Sequence, residues 1–214
     1  ARFDFGLGKD SLFSIYLSEA DDPLYQSIQG QVIPNNWSSI ALAYKKKIFE
    51  SDNLKHKFSF ASSLEYWVVS SGSDGANPKK SIYNEIDNNT GHDRYEKFIY
   101  SFSFPFSKEL NNRTQITLVP GVTLIPDTLG EKNIGKNFYG NNYFLASGLN
   151  FDISKNIQLI SSYTYLFGPG NNSFNEDLKY LRKPIYSYGF NWDASPIIGI
   201  QGKITNSYGT TPST

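Results

Sequence analysis

About ten segments carry an apolar residue at every second position, and short turns alternate with long polar links between them. Together these features predict an all-β chain folded as an antiparallel up-and-down transmembrane β-barrel. The clearest segment runs from Phe98 to Phe106. There Phe98, Tyr100, Phe102, Phe104 and Phe106 alternate with Ile99, Ser101, Ser103 and Pro105. Period two marks a strand with one apolar face. A polar break follows at Ser107 to Arg113. Then Ile116, Leu118, Val122 and Leu124 alternate with Thr117, Gly121 and Thr123. The unit reads as a hairpin with one large apolar face and one small or polar face.

The 214 residues suffice for one large β domain, read as a single barrel domain over 1–214. Lys plus Arg and Asp plus Glu are 20 each, so no net field points to nucleic acid. Cys is absent, which excludes a disulfide framework, a thiolate metal site and a thiol nucleophile. Met is absent too, so a chain beginning at Ala1 is expected to have lost a preceding segment. No apolar run approaches the length of a membrane helix. Aromatic residues make up 16% of the chain. That many rings fill either a thick soluble core or the lipid boundary of a membrane barrel.

In chain order, Arg2 to Gly8 sets Phe3, Phe5 and Leu7 against Arg2, Asp4 and Gly6. Leu12 to Glu19 sets Phe13, Ile15 and Leu17 against Ser14, Tyr16 and Ser18. Ser39 to Phe49 carries Ile40, Leu42 and Tyr44. Leu54 to Ser70 carries Phe58, Phe60, Leu64, Tyr66 and Val68. After the hairpin already described, Tyr143 to Phe151 sets Tyr143, Leu145, Leu149 and Phe151 against Phe144, Ala146, Gly148 and Asn150. Ile157 to Phe167 carries Ile157, Leu159, Tyr163 and Tyr165. Tyr186, Tyr188, Phe190 and Trp192 oppose Ser187, Gly189 and Asn191. Ile198, Ile200 and Ile204 oppose Gly199, Gln201, Lys203 and Thr205. Long links lie at Ala20 to Trp37, Ser71 to Arg94, Pro126 to Asn141 and Gly168 to Pro184. Turns of roughly 3–7 residues alternate with links of roughly 16–24, the loop asymmetry of a membrane barrel.

The hairpins FNWDASPIIGIQGKI and LNFDISKNIQLISSY resemble periplasmic hairpins of Gram-negative outer-membrane β-barrel proteins. The resemblance is one of pattern, porin-like, and covers most of the chain. It implies an outer-membrane location and membrane lipid as the surrounding partner. The leading expectation is a passive channel or transporter for small polar solutes, without enzymatic activity, catalytic residue, metal or cofactor. Arg2, Asp4, Lys45, Lys47, Lys57, Glu65, Gln201 and Lys203 are expected to line the lumen. Phe98, Tyr100, Phe102, Phe104, Tyr188, Phe190, Trp192 and Ile200 are expected to face lipid. The alternatives are a non-catalytic surface anchor or assembly barrel, an outer-membrane hydrolase using His92 and Asp93, and a soluble ligand-binding barrel. A soluble barrel would bury the aromatic face, and the sequence alone leaves that choice open.

Pairing each hairpin symmetrically about its turn places Phe104 opposite Leu118, Tyr188 opposite Gly202, Ser147 opposite Ser161 and Ser62 opposite Leu42. Two serines facing one another on an apolar face suggest a protein partner at Ser147/Ser161, and oligomerisation stays open. Pro120, opposite Phe102 in that pairing, is expected to cause a bulge. Lys46 and His56 fall on the apolar face near a turn, where they can reach water. His92, beside Asp93 at the long-link end, is the one histidine placed to act as a general base, although no serine stands out as a partner. The run from Asp87 to Asp93 lacks the spacing of a calcium loop. From Lys45 to Lys57 there are five Lys against Glu50 and Asp52, a net +3. That charge suggests a turn-end mouth biased toward anions. Both terminal strands end on the long-link side. The chain therefore reads as the interior of a longer one, with about twelve strands in the intact barrel.

Overall fold

The computed structural model describes residues 1–21, 35–51, 53, 55–71, 94–124, 141–175, 179–195 and 198–207. They form an all-β antiparallel fold, and no helix occurs among the described residues. The strands are β1 Arg2–Gly6, β2 Ser11–Asp21, β3 Asn35–Ser51, β4 His56–Ser71, β5 Arg94–Ser103, β6 Phe106–Asn111 and β7 Thr114–Leu124. There follow β8 Asn142–Asp152, β9 Ile157–Pro169, β10 Ser173–Phe174, β11 Tyr180–Leu181, β12 Ile185–Ser195 and β13 Ile198–Thr205. Eleven of them make one sheet in the order β1-β2-β3-β4-β5-β7-β8-β9-β12-β13, with β6 continuing β5 between β4 and β7. Each strand lies beside its sequence neighbour, so the sheet is a meander. Among the described residues β1 pairs only with β2, and β13 only with β12.

The gap between β5 and β6 has a local cause. Pro105 accepts from Ser59 N through its carbonyl at 2.9 Å but has no N–H to return to β4. Pro120 likewise accepts from Phe104 N at 2.9 Å and cannot donate back to Phe104. Two missing donors on opposite sides of one strand interrupt the ladder there. The register nevertheless carries through, with Ser103 opposite Gly121 and Phe106 opposite Leu118. The bulge expected at Pro120 is therefore absent, and each proline costs a bond rather than a residue of register. The polar break expected at Ser107 to Arg113 shrinks to Asn112 and Arg113, because β6 runs on to Asn111.

The symmetric pairings are corrected by two residues in every hairpin. Phe106, not Phe104, faces Leu118, and Phe190, not Tyr188, faces Gly202. Tyr163 faces Ser147, and Leu149 faces Ser161. Tyr44 faces Ser62. Irregularities at Lys47/Phe49, Glu109/Asn111 and Asp193/Ser195 make three of the turns asymmetric, and a further one at Tyr143/Phe144 lies at the far end of the β8–β9 hairpin. A slip of two leaves every side chain on its own face, so the face assignments survive the error. The two serines become diagonal neighbours, and the Ser147 hydroxyl donates to the Tyr163 carbonyl at 3.4 Å.

The two faces of the sheet are opposite in character. The seven aromatics among Phe98, Tyr100, Phe102, Phe104, Tyr188, Phe190 and Trp192 are 36% to 61% exposed. At about 150–250 Å² per aromatic side chain they alone present on the order of 600 Å². That already matches the largest apolar patch of an ordinary soluble monomer. Ile200 and many Leu, Ile and Phe side chains of the other strands share this face. Rings pack along it: Tyr66 on Phe98 with centroids 5.0 Å apart, Phe60 on Phe104 at 5.6 Å, and Phe58 stacked on Phe104 at 6.3 Å. The buried side chains are largely small and polar, Ser14, Ser59, Ser63, Ser101, Thr123 and Ser187 among them. A soluble ligand-holding barrel needs the reverse arrangement. No helix is long and apolar enough to cross a membrane among the described residues, a test blind to strands.

Candidate functional site: the concave polar face

Period two sends every residue between the aromatics to the opposite face, and the register aligns these residues into rows. One row runs Asp4, Ser14, Ala43, Ser63, Ser101 and Thr123 across β1 to β7. Ser14 donates to Asp4 Oδ1, and the Ser101 and Thr123 hydroxyls are bonded at 3.2 Å. A second row runs Lys57, Ser107, Thr117, Gly148, Ser162, Ser187 and Thr205. Within it Ser107 bonds Thr117 at 2.9 Å and Ser162 bonds Ser187 at 2.7 Å. A hydroxyl can donate and accept at once, so adjacent strands satisfy one another without long side chains.

This face is concave. A cavity of about 160 Å³ is walled from β1 to β5 by residues including Arg2, Ser14, Lys45, Ser63 and Ser101, and Phe144 of β8 closes it. Phe144 sits opposite Gly121. A Cβ at Gly121 would collide with the Phe144 ring and approach the Phe102 carbonyl to 2.7 Å, so only glycine allows the ring to lie flat against the wall. On the outer face Phe190 covers Gly202 in the same way, where an added Cβ would stand 2.5 Å from the ring.

Toward the long links the interior fills with larger groups. Trp37 and Trp67 meet edge to face, centroids 5.3 Å apart. Glu65 is fully buried beside Ile99, its direct partner on β5, and accepts from Trp67 Nε1 at 2.7 Å. In the described part of the link after β9, Asn171, Asn172 and Ser173 are buried. Asn172 clamps the segment between β11 and β12, donating to the Lys183 carbonyl at 2.9 Å and accepting from Lys183 N at 2.8 Å. Arg182 lies against Gly168 and donates to the Phe167 carbonyl at 2.9 Å.

All eight residues expected in the lumen lie on this face, in separate places. Arg2 bonds Asp4 at 2.8 Å, and its guanidinium carbon lies 5.2 Å from the Tyr16 ring centre. Lys45 lines the cavity and forms no ion pair among the described residues. Lys47 and Lys57 join a turn-end network: Lys47 to Asp10 at 3.0 Å and to Glu50, and Lys57 to Glu50 at 3.3 Å and to Glu109 at 3.5 Å. Asp10 and Glu109 belong to neighbouring hairpins, so acids from either side engage two of the lysines in the Lys45 to Lys57 cluster. Gln201 belongs to an amide chain taken up below, and Lys203 stands exposed on β13. His92, Asp93 and the Asp87 to Asp93 run lie outside the described residues. Sequence reasoning did not single out Phe144, Trp37, Trp67, Gln158 or Asn191. Alternation alone put Phe144 on the polar side, and that parity was the available signal.

No family model matches the chain, and no curated protein matches it. Solved structures do resemble it. One is the crystal structure of the Pseudomonas putida toluene transporter TodX, at 10% identity and TM-score 0.45, covering 95% of this chain and 75% of that one. Another is LpxR from Salmonella typhimurium, at 10% identity and TM-score 0.41, covering 94% of this chain and 76% of that one. Both are outer-membrane β-barrel proteins. The expectation that the chain is not an enzyme is withdrawn, since an all-β antiparallel fold gives no ground for excluding catalysis.

Proposed function

We propose that the chain is an outer-membrane β-barrel whose concave face lines a passage for small polar solutes. The observation that carries this reading is the inversion of the two faces. Most phenylalanine, tyrosine and leucine side chains of the long strands face outward, Phe144 and Tyr16 being inward exceptions, while most serine, threonine, asparagine and glutamine side chains face inward. An outward apolar face is stable against lipid chains and unstable against water. In lipid, backbone groups must be satisfied by neighbouring strands, which the antiparallel meander provides for every strand between its edges β1 and β13. Strands of 10 to 17 residues in the middle of the sheet meet the roughly 9–11 needed to cross tilted. On this reading Arg2, Asp4, Lys45 and Glu65 are lumen groups, Phe102 and Phe190 are lipid groups, and Ser147 and Ser161 form a small-residue patch open to a protein partner.

The test is reconstitution. Protein folded in detergent and added to planar bilayers is expected to give discrete conductance steps. Lys45→Glu is expected to shift ion selectivity toward cations. Folded, membrane-inserted protein without conductance would overturn the passage and leave the surface anchor. Extraction from membranes by salt or alkali without detergent would overturn the barrel itself.

A further inference from the structure

A second cavity, of about 480 Å³, lies at the tight-turn end between the β8–β9 turn and the β12–β13 hairpin, and its lining takes in Ile157, Trp192 and Ile200 beside the polar groups of the concave face. A chain of side-chain amides lines it. Gln201 Nε2 donates to Asn191 Oδ1 at 2.8 Å, Asn191 Nδ2 to Gln158 Oε1 at 3.2 Å, and Gln158 Nε2 to Asp152 Oδ1 at 2.8 Å. The bonds point one way across β13, β12, β9 and β8. An ionised carboxylate at the end can only accept, which obliges Gln158 to donate and orients each amide behind it. Every amide so fixed keeps a second N–H and a further acceptor lone pair. Asp193 and Lys155 line the same cavity, and neither forms an ion pair among the described residues.

We propose that this cavity binds a neutral polyhydroxylated solute, a mono- or disaccharide. The inference names a solute class for the proposed passage and rests on that reading. A sugar hydroxyl is donor and acceptor together, and the ladder offers both in a fixed alternating order. Because the amides already hold one another, little side-chain freedom remains to be lost on binding. At about 30 Å³ per water the volume corresponds to roughly sixteen waters, which is room for one or two sugar rings. Other ligand classes fit less well. An anion meets Asp152 and Asp193 against Lys155 alone. An apolar ligand would leave the amides' remaining groups without partners. A metal ion lacks a cluster of three acids or histidines among the described residues.

The test uses the full chain folded in detergent micelles, with D-glucose and maltose as probes in saturation-transfer NMR and titration calorimetry. Wild type is expected to transfer saturation to the sugar protons. Gln158→Leu, which cuts the ladder at its centre, is expected to weaken binding at least tenfold. Asp193→Ala changes the rim without touching the ladder and is expected to weaken it several-fold, so the inference stays testable if Gln158→Leu does not fold. Absence of transfer to either sugar, unchanged affinity in the folded variants, or binding of the diamine putrescine in place of sugar would each overturn it. Conductance without sugar binding defeats this inference alone. Sugar binding without conductance defeats the passage.

Discussion

Replacing Phe102 by arginine puts a charge on the outer face near the middle of the β5–β6 run, and replacing Ser103 by arginine puts the same charge one residue away on the concave face. Phe102 is an exposed aromatic whose ring is 6.5 Å from that of Phe60. Ser103 lines the smaller cavity. If the outer face meets lipid near mid-depth, Phe102→Arg carries a burial cost of about 2–4 kcal/mol. The lost ring pair adds about 0.5–1.5 kcal/mol. At 1.4 kcal/mol per tenfold, the lipid term alone lowers the folding equilibrium roughly 30- to 700-fold. Ser103→Arg pays no lipid term, because its head can reach polar groups across the cavity. Reversible urea unfolding in phospholipid vesicles, followed by tryptophan emission and heat-dependent gel mobility, measures both. Equal stability of the two variants, or a Ser103→Arg loss as large as that of Phe102→Arg, would refute the lipid-facing assignment.

Other substitutions probe the interior. Gly121→Ala, which drives a Cβ into the Phe144 ring and the Phe102 carbonyl, is expected to cost about 1–3 kcal/mol in the same unfolding assay. Gly148→Ala, whose nearest neighbour would stand at 3.7 Å, is expected to stay within about 0.5 kcal/mol of wild type. Glu65→Ala removes the acceptor of the buried Trp67 N–H and is expected to cost about 1–3 kcal/mol with an altered tryptophan spectrum, while Glu65→Gln, which keeps an acceptor, should lose less. Lys47→Met removes the link between Asp10 and Glu50 and is expected to lower the unfolding midpoint slightly, the loss shrinking as salt rises.

Much of this architecture was legible because a strand writes its two faces into alternate residues. The row from Phe98 to Phe106 marked both faces of the β5–β6 run, though not the gap at Phe104 and Pro105, and the alternating lengths of turns and links marked the meander. Register was not legible. It depends on irregularities such as that between Glu109 and Asn111, which add one residue to one strand and leave no composition signal. The prolines misled for a related reason. Pro120 reads as a bulge, yet a lost donor can be absorbed without changing register when the neighbouring bonds hold. The short pair β10 and β11 was invisible because two residues per strand carry no period. The amide ladder and the Phe144 lid join residues from separate hairpins, so they appear only once the hairpins are laid side by side. The charge cluster from Lys45 to Lys57 looked free for the same reason, its acids lying on β6 and before β2.

The central claim is that the aromatic face meets lipid while the opposite face does not. The three tryptophans divide between these faces: Trp192 is exposed on the outside, and Trp37 and Trp67 are buried within. A variant with Trp37 and Trp67 changed to phenylalanine reports from Trp192 alone, and one with Trp192 changed to phenylalanine reports from the interior pair. In vesicles of lipids brominated on their acyl chains near the headgroup, the account predicts strong quenching of Trp192 and little of Trp37 and Trp67. Quenching of the interior pair with Trp192 spared, and Trp192 quenched instead by aqueous acrylamide, would contradict it.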